Sequence, residues 1–139
     1  GVTTIVDLRA EENLEIDVAL LERLGIRRVA LPIRDGQAPT TGEVERFLAV
    51  VDQADGKVFV HCGAGVGRTG AMAASYLVAT GMKPSEALMR NLAVGPPSLE
   101  QVAYAADLED GEFERPGVVL TAVSRTLDAP RRLWSRYGF

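Results

Sequence analysis

Residues 57–80 read KVFVHCGAGVGRTGAMAASYLVAT: a short apolar run, a glycine-rich turn, then apolar residues at helical spacing. The spacing predicts a buried strand over 57–60 and a helix over 68–80, joined by a tight loop. The same order recurs along the chain. TTIVDL (3–8) reads as a strand and DVALLERL (17–24) as a helix, with Asp17 near its start and Gly25 after its end. RRVALPI (27–33) is the next strand, and TGEVERFLAVVDQA (41–54) is a helix with a threonine before its acidic residues, a good N-terminal signal. Three helices near 69–80, 84–93 and 98–110 complete the pattern. Strands alternating with helices imply an α/β fold with a central, mostly parallel sheet flanked by helices. In such sheets ligands gather at the carboxyl ends of the strands, where the 61–70 loop falls. No internal repeat or low-complexity segment interrupts the chain.

That loop, HCGAGVGRTG, contains the only His and the only Cys of the sequence, His61 and Cys62. A cysteine set where a strand turns into a helix N-terminus meets converging amides and the positive end of the helix dipole. An anion is welcome there, and the same field favours thiolate, the nucleophilic form, over thiol. Arg68 at a helix start opposes the dipole, which argues for an anionic partner. Each feature alone has a plainer reading: a small buried cysteine, turn glycines, a solvated arginine. Two other phosphate motifs compete. A Walker A loop fails, because Cys62 stands in the first glycine's place and Arg68 in the lysine's. Gly65, Gly67 and Gly70 spell the dinucleotide fingerprint, but its acidic residue about twenty positions on has only Glu86, in an apparent helix start, to offer.

The decapeptide resembles the signature of the cysteine-based protein tyrosine phosphatases: His-Cys, five residues, Arg, then Ser or Thr. Its neighbourhood is similar to the small dual-specificity branch. LPIRDGQAP (31–39) resembles that branch's general-acid loop, VDLRAEENL (6–14) its early strand and turn, and GMKPSEAL (81–88) with PSLEQV (97–102) the two later helices. The likeness runs from about Thr3 to about Leu108. It implies a phosphotyrosine phosphatase-like fold in which Cys62 attacks phosphorus, Arg68 clasps two oxygens, and Asp35 is the proton donor. It further implies that Gly63, Ala64, Gly65, Val66, Gly67 and Arg68 cradle the phosphate, that Thr69 donates to the sulfur, and that His61 shapes the loop from behind. As a plain turn residue before Gly36, Asp35 would have no such role. Three departures matter. Gly63 and Val66 stand where phosphatases of inositol lipids often carry lysines. Gly95-Pro96-Pro97-Ser98 replaces a common Arg-Pro-Gly-Ser stretch. Gln101 falls near a position where some relatives keep a water-positioning glutamine, though a helix-surface glutamine is an equal reading.

Composition bounds the rest. The 139 residues suit one domain, expected as a catalytic part over 1–114 and a basic C-terminal helical extension over 115–139 packed on it. The extension holds five Arg against Asp128, a net of +4, so with an overall charge of −4 the first 114 residues carry −8. Its arginines interleave with Trp134, Tyr137 and Phe139, so an acidic partner or an anionic membrane surface is the alternative to docking on its own domain. The acidic balance gives no reason to expect nucleic acid, no apolar run reaches the ~20 residues of a membrane span, and a single His and Cys cannot build a usual zinc site. No cofactor is expected. One cysteine forms no internal disulfide, which points to a reducing, cytoplasmic setting. A chain beginning at Gly1 suggests trimming at the N-terminus. The functional expectation is a phosphoprotein or dual-specificity phosphatase acting on a phosphorylated protein or small phosphomonoester. The competing readings are a non-catalytic phosphate-binding module and a sulfur transferase of the rhodanese type. Arsenate reduction fits less well, since it usually needs further cysteines.

Overall fold

The computed structural model describes residues 1–10, 17–95 and 97–108; the expected helix at 117–127 and the arginine-rich segment after it lie outside them. The elements follow in the order β1 (Val2–Arg9), α1 (Val18–Arg23), β2 (Arg27–Ile33), α2 (Thr41–Asp52), β3 (Lys57–His61), α3 (Gly67–Ala79), α4 (Pro84–Leu92) and α5 (Leu99–Ala106). Each strand and helix expected over these residues is present, with ends displaced by a few residues at most.

Local chemistry explains the boundaries. Asp17 caps α1 by accepting from the Leu20 amide at 2.8 Å, and Gly25, at φ +65°, turns the chain out of it. At the start of α2, Thr40 and Glu43 form a reciprocal capping box: the Glu43 amide donates to Thr40 Oγ1, and the Thr40 amide donates to Glu43 Oε2 at 2.6 Å. The apolar stripe of α2, Val44, Phe47 and Val50, recurs at three-residue spacing and faces inward.

The three strands lie in the order β2-β1-β3 and are all parallel. Thr4, Val6 and Leu8 of β1 point to one face, where Leu31, Ile33, Phe47 and Met72 complete the core. α3 packs along this core. α4 meets it at Gly70, whose missing side chain makes room for the buried amide of Asn91. α5 is tied to α3 by a 2.7 Å hydrogen bond between Ser75 Oγ and Tyr104 Oη, both fully buried. Helices α3 and α5 therefore hold a set position relative to one another.

The opposite face of β1 carries Asp7, which is 1% exposed. Its carboxylate accepts from Arg9 Nε and Arg9 Nη2 and from Arg28 Nη2, each at 2.9 Å, and from the Arg9 amide at 3.1 Å. Burial alone would raise its pKa. The hydrogen bonds from Arg9 and Arg28 outweigh that and hold it well below the usual carboxylate range. Asp7 lies opposite His61 in the β1–β3 register, with His61 Nε2 3.8 Å from its Oδ1, so this cluster braces the strand that leads into the 61–70 loop.

A carboxylate with a depressed folded pKa stabilises the protein at pH values above its ordinary one and ceases to as pH falls through and below about 4. Urea midpoints of the wild type should therefore drop on acidification below that value. Asp7→Asn should cost about 2 kcal/mol at neutral pH and show a shallower acid decline.

Candidate active site

The 62–68 loop leaves β3 and enters α3 with both ends sunk and its middle raised. Cys62 is 6% exposed and Arg68 4%, while Gly63 and Ala64 between them are open to solvent. Gly65, at φ +74°, supplies the left-handed residue that the tight curl requires. α2 and α5 both begin with side-chain capping boxes, but α3, whose N-cap is Val66, has none. Its first ladder bond runs from the Gly70 amide to the Val66 carbonyl at 2.8 Å. The amides just before it belong to a helix start that no side chain caps, next to the loop's open middle, which suits an anion.

Arg68 turns back across the loop. Its Nη1 donates to the Ile33 carbonyl at 3.1 Å, at the last residue of β2, and its Nη2 lies 3.4 Å from Asp35 Oδ1. Nη2 also passes close under Gly63: a Cβ there would stand 3.3 Å from it. The guanidinium thus joins the Cys62 loop to the start of the Asp35 loop. Asp35 itself is half exposed, at 51%. It sits in a turn closed by the Gln37 amide donating to the Arg34 carbonyl at 3.0 Å, with Gly36 at φ +77°. The turn reading and the proton-donor reading of Asp35 are compatible, because the turn is what presents the carboxylate to Arg68.

The other sequence candidates fall around this pair. His61 stacks on Phe59 with ring centroids 5.8 Å apart, its Nδ1 lies 3.3 Å from the Cys62 carbonyl oxygen, and Asp7 stands behind it. Its ring thus lies against Phe59, the Cys62 carbonyl and Asp7. Thr69 Oγ1 is buried and has no hydrogen-bond partner among the described residues. Among the described residues, no group of three His, Cys, Asp or Glu side chains is placed to hold a metal ion, and no helix is long and apolar enough to cross a membrane.

At the start of α5, Ser98 and Glu100 were not singled out from sequence as site residues, and Gln101 only through the resemblance, as a water-positioning candidate. Ser98 Oγ donates to the Gly36 carbonyl at 2.8 Å, Glu100 Oε1 accepts from the Ala38 amide at 3.1 Å, and Gln101 Nε2 donates to the Gln37 carbonyl at 3.1 Å. Gln101 is 2% exposed, which overturns its helix-surface reading. It also presses on Gly67, where a Cβ would stand 2.5 Å from its Oε1. One usable signal was present: Ser98 and Gln101 have the spacing of a capping box.

A strand-end loop pairing a sunken cysteine with a buried arginine, faced by an aspartate, defines a cysteine-based phosphatase fold. The model of the family described as the Swiss Army Knife protein DSP-PTPase phosphatase domain matches residues 1–108, and the chain belongs to that family of dual-specificity phosphatase domains. It is 38% identical over 78 residues to human dual specificity protein phosphatase CDC14C, covering 56% of this chain and 17% of that protein. It is likewise 38% identical over 77 residues to the Caenorhabditis elegans tyrosine-protein phosphatase cdc-14, covering 55% of this chain and 10% of that one. The chain thus spans less than a fifth of the length of these relatives. The crystal structure of P. aeruginosa TpbA is similar at a TM-score of 0.63 and 26% identity, over 78% of this chain and 68% of that one. The family model and both named relatives are phosphatases, which does not favour the sulfur-transferase or phosphate-binding-module readings.

Gly67→Ala should push the Gln101 amide away, costing about 1–3 kcal/mol of stability. In a Gln101→Ala background the same change should cost measurably less, and paired urea titrations of the four proteins give the coupling.

Proposed function

We propose that this domain hydrolyses phosphomonoesters of phosphorylated proteins, or small phosphomonoesters, through a phosphocysteine. Cys62 sulfur attacks phosphorus in line, forming an S–P bond as the ester O–P bond breaks. Asp35 gives its proton to the departing oxygen, then takes one from the water that opens the S–P bond and releases phosphate. Arg68 clasps two equatorial oxygens in a planar fork that lysine cannot reproduce. The amides of Gly63, Ala64, Gly65, Val66, Gly67 and Arg68 stabilise the charge spread over a loose phosphoryl transition state. Thr69, whose buried hydroxyl has no partner among the described residues, donates to the sulfur when it departs as thiolate. His61 keeps the loop in shape.

The observation that carries this reading is the 3.4 Å approach of Asp35 to Arg68 Nη2, at the mouth of a loop whose other end is Cys62. An arriving phosphate would replace the carboxylate on that nitrogen and leave Asp35 beside the ester oxygen. Gly63 and Val66 add no positive charge to the cradle, which favours a singly phosphorylated group over a highly charged inositide. A lone cysteine that must stay reduced suits a cytoplasmic setting.

Turnover of an aryl phosphate tests the roles. Cys62→Ser should fall to background, and wild-type rates in that variant would end the proposal. Arg68→Lys should lose about 10²-fold or more in kcat/KM. Asp35→Asn should lower kcat about 10²-fold and flatten the basic limb of the pH profile, because a donor must hold its proton to act and asparagine has none to lose.

A further inference from the structure

The segment carrying Asp35 is bolted down along its length. Before the aspartate, the Ile33 carbonyl accepts from Arg68 Nη1 at 3.1 Å. After it, three consecutive residues are each taken by a different side chain of α5's first turn: the Gly36 carbonyl by Ser98, the Gln37 carbonyl by Gln101 and the Ala38 amide by Glu100. All three side chains are at least nine-tenths buried, at 5%, 2% and 0% exposure. The first turn is rigid in its own right. The Gln101 amide donates to Ser98 Oγ at 3.2 Å, and the Ser98 amide donates to Gln101 Oε1 at 2.9 Å. One pair of side chains therefore caps the helix and grips the loop together. Downstream, Tyr104 fastens α5 to Ser75 of α3, the helix whose first turn carries Arg68. The Asp35 loop, α5 and α3 are thus tied to one another in a closed ring.

We propose that Ser98, Glu100 and Gln101 are positioning residues that hold the Asp35 loop closed against the phosphate loop, so that the proton donor is preorganised before substrate binds. This rests on the phosphatase reading above and adds to it a fixed acid in place of a closing lid. A buried hydrogen bond to a loop carbonyl is lost outright when its donor is removed, and a proton donor works only within hydrogen-bond reach of the leaving oxygen. Loosening the latch should thus harm the acid's contribution while sparing attack by the nucleophile. Esters of strongly acidic phenols leave without a proton; phenyl phosphate needs one.

The test compares kcat/KM, which reports the steps through phosphocysteine formation, for phenyl phosphate and 2,4-dinitrophenyl phosphate. Ser98→Ala should lose about tenfold on phenyl phosphate and less than about twofold on the dinitrophenyl ester. Ser98→Thr, which restores a hydroxyl, should recover most of that loss. In an Asp35→Asn background, Ser98→Ala should bring no further loss on phenyl phosphate. If Ser98→Ala does not fold, Gln101→Met, of similar length but unable to donate to Gln37, should give the same leaving-group-selective pattern. Any role of Gln101 in placing the later water is silent in this parameter. An equal fall on both esters, or none on either, overturns the latch even when the wild type is active and depends on Asp35. A wild type that releases phosphate from neither ester overturns the phosphatase reading itself.

Discussion

A guanidinium 96% removed from solvent, at the positive end of a helix, is costly unless its donors are met. Arg68 is in that position, and the way its charge is answered organises the molecule around the loop. The Ile33 carbonyl takes one donor at the end of β2, and Asp35 faces another. Gly63 has no side chain to obstruct the path between. Satisfying one buried cation therefore brings the ends of two parallel strands, β2 and β3, to a common point. Removing Arg68 would also cost the Asp35 loop one of its ties to the loop that holds Cys62.

The helices divide the work. α2 and α5 are closed by reciprocal capping boxes, while α3 starts without one, beside the cysteine. The cap on α5 serves two purposes, because the Ser98 and Gln101 side chains that close the helix also grip the acid loop. The Asp7 cluster plays the corresponding part behind the sheet. There a buried carboxylate answered by two arginines steadies the strand position next to His61.

Much of this was legible in the chain. The strand and helix order followed from apolar spacing, and the Asp17 cap, Gly25 exit and threonine start of α2 are short-range signals read within four residues. Cys62 and Arg68 stood out because their spacing and their glycine-rich surroundings fit an anion loop. The pairing of Asp35 with Arg68 was implied only by resemblance, since 33 residues separate them. Gln101 was left between a water-positioning role, implied by resemblance, and an ordinary place on the helix surface. Its capping-box spacing was visible, but nothing nearby in sequence indicated that its amide would reach Gln37 and press on Gly67.

By itself, then, the sequence determined the α/β order, the loop that sets Cys62 and Arg68 between a strand and a helix, and the turn on which Asp35 rides, because each depends on contacts within a few residues. Only the tertiary structure decided what holds that aspartate in place. Ser98 and Glu100 each bond a loop residue 62 positions away, and Gln101 one 64 away. Hydrogen bonds between a turn and a distant helix start leave no periodic trace in a chain; they exist because β2, α3 and α5 pack to one point around a buried charge.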